Sequence, residues 1–394
     1  MNYDFDRVID RSGTYSSRWT LFEPEELEKP YGDDYIYLSA ADMDFQCSEA
    51  IRTRLEKVVK DNLYGYAQLT RENGQRYFQA VKTWFQKSRD WDLNTEQIFY
   101  VAGSMGGART ALEAFTKIGD GVLINRPVYG PFNFLIEGAG RRVVNCPLLR
   151  DESGYYRLDF DALERLAAQP DVTAYLLCSP HNPVGRVWTE EELRTIHDIC
   201  RQNGVLIISD EVHADFTWEK NKFRSIAQIT DGTGIVTCTG LGKTFNLAAL
   251  QPANAVVTDP ELLPRFEKQL AYMVPNRFTI EAIIAACLES DDWLAQVRSY
   301  LEGNIDAVLE FLKEKMPQVK CLRPEGGYML WMDFSAYGLS AEEIHRRIFH
   351  RAQVVLEDGT FFDPDNGQMF QRACLPAPRA RVMEAFERIA KEFP

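Results

Sequence analysis

Between residues 98 and 258 short apolar runs alternate with segments of helical period, and no other feature restricts the fold as strongly. Runs rich in Val, Ile and aromatic side chains suit strands buried on both faces, and parallel strands need the intervening helices as crossovers. The predicted strands are Ile98–Val101, Gly121–Ile124, Arg142–Asn145, Ala174–Cys178, Val205–Ser209, Ile235–Cys238 and Asn254–Val257. One helix between them has explicit ends. Thr189 as N-cap and Glu192 form a capping box, Glu190 and Glu191 suit the positive end of the helix dipole, and Gly204 marks the stop. This pattern reads as an α/β fold built on a parallel sheet.

Past about residue 290 the alternation ends. A long helix, a strand at Tyr328–Phe334, a helix from Ser340 and a last helix from Pro378 read as a smaller α+β unit. A chain of 394 residues predicts two or three domains, and 45% hydrophobic with 12% aromatic content is enough for packed cores and excludes general disorder. The expected division is an N-terminal segment over 1–45 packing with the small domain, a large domain over 46–288 and a small C-terminal domain over 289–394.

Against 58 Asp plus Glu stand only 44 Lys plus Arg, a net charge of −14 with no basic stripe, which argues against a nucleic-acid partner. The start, Met1 to Asp6, lacks the basic segment and apolar run of a secretory signal. Apolar runs such as Val205–Ile208 fall far short of the roughly 20 residues that span a bilayer, so no membrane is expected. Eight cysteines are scattered without a Cys-x-x-Cys pair, which predicts reduced thiols in a cytoplasmic protein.

Several motifs lead nowhere. Gly242-Lys243-Thr244 looks like the end of a P-loop, but Thr237 stands where that motif needs glycine. Gly103-Ser104-Met105-Gly106-Gly107 does not fit the dinucleotide fingerprint, and what survives is a generic anion site of backbone N–H groups at a helix entrance. No metal is expected, since His345 and His350 are five apart and should point to different helix faces.

The chemical signal lies in four segments, each at the C-terminal end of a predicted strand, where ligands gather in open α/β sheets. They are Gly103-Ser104-Met105, Ser179-Pro180-His181-Asn182-Pro183-Val184-Gly185-Arg186, Ser209-Asp210-Glu211-Val212-His213 and Lys243-Thr244-Phe245-Asn246. Singly each has a plain explanation, an acid as helix cap or a lysine at a solvated strand end. Together their order resembles the fold-type I pyridoxal 5′-phosphate (PLP) enzymes, the aspartate-aminotransferase superfamily, over nearly the whole chain. The resemblance implies a large PLP domain with a mixed, mostly parallel seven-stranded sheet flanked by helices. It also implies a smaller α+β domain formed by the C-terminal part and the N-terminal segment.

PLP takes up the electrons of a carbanion at an amino acid's Cα through a protonated pyridine ring, and a carboxylate near the ring nitrogen favours that protonated form. Asp210 is placed for this task. The resemblance makes Lys243 the covalent anchor and the base at Cα. It sets Asn182 on the ring's phenolic oxygen, Tyr129 on the ring face, Gly103, Ser104 and Met105 around the phosphate, and Arg372 on the substrate's α-carboxylate.

Within the superfamily, Phe5 to Trp19, Ala41-Asp42-Met43-Asp44-Phe45, Tyr64-Gly65-Tyr66 and Asp210-Glu211-Val212-His213 are similar to the MalY/PatB-type cystathionine β-lyases. This implies a carbon–sulfur β-lyase releasing a thiol, pyruvate and ammonia from cystathionine or another cysteine S-conjugate, with a PLP-dependent aminotransferase as the alternative. It also implies His213 near the phenolic oxygen, Tyr66 reaching the phosphate of a neighbouring subunit, and a homodimer with active sites at the interface. Three departures stand out. Gly240 and Gly242 replace phosphate-binding serines, so the phosphate grip is expected to shift to Thr239 and backbone. Leu38-Ser39-Ala40 and Arg18 also differ from the common pattern and are expected near the substrate side chain.

Overall fold

A computed structural model describes residues 2–20, 30–218, 222–270 and 273–394, so residue 1 and residues 21–29 of the expected N-terminal segment lie outside it. The seven predicted strands form one sheet, each boundary within two residues of expectation: β1 (Ile98–Ala102), β2 (Gly121–Ile124), β3 (Arg142–Asn145), β4 (Val172–Cys178), β5 (Leu206–Asp210), β6 (Ile235–Gly240) and β7 (Pro252–Val256). Their order is β1-β7-β6-β5-β4-β2-β3. Every pair is parallel except those of β7, which runs antiparallel to both neighbours.

Strand periodicity explains the two cores. Ala174, Leu176 and Cys178 of β4 pack with Val122, Ile124, Ile208 and Val236 on one face, while Tyr175 and Leu177 pack with Leu123, Ile207 and Ile235 on the other. Helices cover both faces. Among them, Glu190–Asn203 carries the complete Thr189–Glu192 capping box and ends on Gly204 in the left-handed conformation, as its sequence requires.

The C-terminal part holds an antiparallel sheet of β8 (Lys320–Cys321), β9 (Met329–Asp333), β10 (Glu357–Asp358) and β11 (Phe370–Cys374), ordered β8-β9-β11-β10. The helix Asp291–Lys315 and the closing helix Arg379–Glu392 pack against each other, and their buried side chains join the core that holds Met329 to Met332. N-terminal residues join this part: Ile36–Tyr37 pairs in parallel with Val354–Val355, and Phe5 meets Phe45 at 5.0 Å and Trp293 at 6.1 Å between ring centroids.

The expectation that His345 and His350 point to different helix faces fails for a geometric reason. Arg346–Arg351 is a π-helical turn, whose i→i+5 hydrogen bonds bring residues five apart to one side. His345 and His350 therefore lie edge to face at 5.9 Å. Among the described residues no group of three or more His, Cys, Asp or Glu could hold a metal ion. All eight cysteines are free.

Candidate active site

The C-terminal edge of the parallel strands opens into a cavity of about 540 Å³. Its wall includes Gly103, Ser104, Met105, Tyr129, Asn182, Asp210, His213, Lys243 and Arg372, nine of the ten residues singled out from the sequence. Tyr66 is the tenth. It is fully exposed and lies in a separate surface groove with Tyr64, Val274 and Phe278.

At one end the helix Gly103–Phe115 enters the cavity with no side-chain cap on its first N–H groups. Gly103 has φ +75, the left-handed conformation that turns the chain out of β1 and into this helix. Such an end attracts an anion. Beside it stand Gly240, Gly242, Gln251 and Pro252. Because β7 is antiparallel, its first residue lies opposite Ala102 at the end of β1, and this brings Gln251 to the site. The glycine at 240 has a packing cause: a Cβ there would come within 3.2 Å of the Pro252 carbonyl oxygen and 3.3 Å of Ala253 Cβ. Thr239, expected to take over the phosphate, does not line the cavity. Its Oγ1 accepts from buried Arg89 at 3.0 Å, away from the cavity.

Asp210 ends β5, is buried, and accepts from Ser104 Oγ at 3.4 Å and from the Val212 N–H at 3.3 Å. Burial pushes its carboxyl up to about 7, against the pull of those hydrogen bonds and of Lys243. Such a carboxylate is ready for a cationic partner. Lys243 donates from Nζ to the Ala41 carbonyl at 2.6 Å, and burial holds its pKa below the usual lysine range. His213 is pushed down to about 3 by burial, with Lys243 and Arg372 adding to the shift, and is neutral near pH 7. Its Nδ1 is buried without a hydrogen-bond partner.

Arg372, on β11, is buried rather than a surface charge. Its guanidinium donates to Ser39 O at 2.8 Å and Asn182 Oδ1 at 3.2 Å, lies 4.6 Å from the Phe362 ring centroid, and leaves Nε unpaired. Asn182 spends its oxygen on Arg372, so its Nδ2 remains available as a donor.

Arg18 and Leu38 do not reach the cavity. Arg18 is fully buried and donates to the carbonyls of Tyr37, Ala40, Asp42 and Cys374. It holds the loop that presents Ser39 to Arg372 and Ala41 to Lys243. Asn246 pins the same loop through Met43 and Phe45. Of the departing Leu38-Ser39-Ala40 run, Ala40 alone lines the cavity. Sequence reasoning missed Gln251, Glu357, Phe361 and Ser17, which also form the wall.

This donor set fits PLP. A bare helix end suits its phosphate, a buried carboxyl its ring nitrogen, an amide donor its phenolic oxygen and a buried lysine its aldehyde.

The profile of the aminotransferase class I and II family matches residues 33–389. Among curated proteins, cystathionine beta-lyase PatB of Bacillus subtilis (strain 168) is 34% identical over 392 residues, 98% of each chain. Among solved structures, a PLP-bound putative aminotransferase from Clostridium difficile 630 matches with TM-score 0.92 at 34% identity, covering 100% of both chains. Cystalysin from Treponema denticola, which contains a PLP cofactor, matches with TM-score 0.92 at 32% identity, covering 100% of this chain and 99% of that one.

Proposed function

The chain belongs to the aminotransferase class I and II family, and we propose that within it the protein is a PLP-dependent carbon–sulfur β-lyase acting on cystathionine or another L-cysteine S-conjugate. The overall reaction converts the conjugate and water to a thiol, pyruvate and ammonia. One observation carries this reading: Lys243, Asp210, Asn182 and Arg372 line a single cavity in a chain whose relatives include named cystathionine and C-S lyases.

When bound, PLP supplies an electron sink for the pair released as a proton leaves the substrate's Cα. Asp210 would hold the proton on the ring nitrogen, and Asn182 Nδ2 would donate to the phenolic oxygen, with neutral His213 also in the wall. Tyr129, in the cavity wall, would lie against the ring. The N–H groups of Gly103 to Met105 would hold the phosphate, joined by the Ser104 hydroxyl once it turns from Asp210, to which it donates in the free protein. Arg372 grips the α-carboxylate as a fork of donors. Lys243, its pKa lowered by burial, takes the Cα proton as a neutral amine more readily than an exposed lysine would.

The same residues support amino transfer to a 2-oxo acid, and the likeness to the Clostridium difficile protein favours that second reading. Incubation with L-cystathionine alone, and separately with an amino acid plus 2-oxoglutarate, decides between them. Pyruvate from cystathionine without a 2-oxo acid is expected. Amino transfer with no pyruvate from any thioether would reverse the order.

The reading includes a homodimer in which Tyr66 reaches the partner's phosphate. Its support is the apolar groove of about 390 Å³ around Tyr66, where Tyr64 stacks on Phe278 at 6.1 Å and Leu63 and Val274 are exposed. A monomer by sedimentation at micromolar concentration would remove it. It also includes the division of the large domain, 46–288, from the small domain, 289–394, with the N-terminal segment joined to the latter. A cytoplasmic location accords with eight free cysteines.

A further inference from the structure

Among the described residues four charged side chains line the cavity: Asp210, Lys243, Glu357 and Arg372. Under the lyase reading, on which this inference rests, Asp210 and Lys243 serve the cofactor and Arg372 the α-carboxylate. Glu357 has no task.

Its position is defined. Glu357 lies directly across from Arg372 in the antiparallel pair of β10 and β11, with its carboxylate 3.5 Å from the guanidinium. Its side chain is 28% exposed, against 3% for Arg372, and both line the cavity. Burial and Asp358 push its carboxyl up, against the pull of Arg372. In the free protein it is the counter-ion of Arg372, whose other partners, Ser39 O, Asn182 Oδ1 and the Phe362 ring, carry no net charge. Once a substrate α-carboxylate takes that place on Arg372, the acid beside it repels the new group. An acid there does gain energy from a substrate that brings a positive charge elsewhere. Of the other residues on the wall, Ser17, Ala40, Ala41 and Phe361 are uncharged.

We propose that Glu357 is a specificity-determining residue that favours cysteine S-conjugates whose thioether arm carries an ammonium group and disfavours those whose arm carries only a carboxylate. Cystathionine, whose arm bears both signs, falls between the two.

The test compares pyruvate release by the holoenzyme from S-aminoethyl-, S-ethyl- and S-carboxymethyl-L-cysteine, in wild type, Glu357→Gln and Glu357→Asp. Each kcat/KM is taken relative to S-ethyl-L-cysteine on the same variant, so general losses and leaving-group differences cancel between variants. Glu357→Gln should lower the aminoethyl-to-carboxymethyl ratio about tenfold or more, the scale of one partly screened charge pair, and Glu357→Asp should restore most of it. A ratio that changes less than about twofold, or three substrates altered by one common factor through Arg372, would overturn the proposal. If no conjugate yields pyruvate, the lyase reading fails separately. The preference is then read from the change in the cofactor's visible spectrum on binding L-lysine and L-glutamate, where affinities that Glu357→Gln leaves in the same ratio overturn it.

Discussion

Arg18→Lys keeps the charge of a buried side chain and removes its shape. The guanidinium donates from Nε to Tyr37 O at 2.9 Å, from one terminal nitrogen to Ala40 O at 3.1 Å and Asp42 O at 2.7 Å, and from the other to Cys374 O at 3.2 Å. It also stands 3.4 Å from Asp44. An ammonium group offers its donors from one point and cannot reach carbonyls arrayed around a planar fork. With two such bonds lost at about 1.5–3 kcal/mol each and part regained by relaxation, the expected destabilisation is about 3 kcal/mol. Asp44 limits the damage, because Arg11 and Trp19 also bind it. The effect should reach the site, since the same loop carries the acceptors for Arg372 and Lys243. Equilibrium urea unfolding of the cofactor-free protein measures the first consequence, and the KM for an amino-acid substrate the second. A loss below about 0.5 kcal/mol with unchanged KM would refute the reasoning and leave Arg11 and Asn246 as the groups that hold the loop.

In the cofactor-free protein Asp210 binds its proton more tightly folded than unfolded, with a pKa of about 7. Its stabilising contribution is thus fully present below about pH 4 and lost as pH rises through about 7. Thermal melts from pH 4 to 8 should decline less for Asp210→Asn than for wild type, and identical slopes would show that this carboxyl does not titrate there. Arg372→Lys should cost about a hundredfold in kcat/KM while the visible cofactor band persists, and an unchanged kcat/KM would move the carboxylate site elsewhere. Ser104→Ala and Gln251→Ala should each weaken PLP binding about tenfold in absorbance titrations of the apoprotein. Tyr66→Phe should do so only at concentrations where the dimer persists, and wild-type affinity in all three would mean that other groups hold the phosphate.

Local patterns in the sequence located the large sheet, because most of its strands centre on short apolar runs, with Arg142–Asn145 and Pro252–Val256 more mixed, and because the Thr189 box and Gly204 mark a helix at both ends. Direction was not legible. Nothing in Pro252–Val256 shows that it runs antiparallel, and that reversal is what brings Gln251 to the cavity. The site residues were visible wherever they follow strand ends in fixed order, as Asp210 and Lys243 do. Glu357 belongs to a strand of two residues with no periodicity to reveal it. Arg18 was misplaced because a charged residue in an N-terminal segment gives no sign of burial until its carbonyl partners, drawn from residues 37 to 42 and 374, are brought together. The π-helical turn at Arg346–Arg351 likewise breaks the 3.6-residue period on which the separation of His345 and His350 relied.

The most direct test of the proposed chemistry is to load the protein with PLP, reduce it with borohydride and locate the adduct by peptide mass spectrometry. The expected result is a single PLP adduct on the peptide containing Lys243, formed together with loss of the visible band and absent from Lys243→Ala. An adduct on another lysine, or a protein that stays colourless and unmodified at saturating PLP, would contradict the assignment of this cavity.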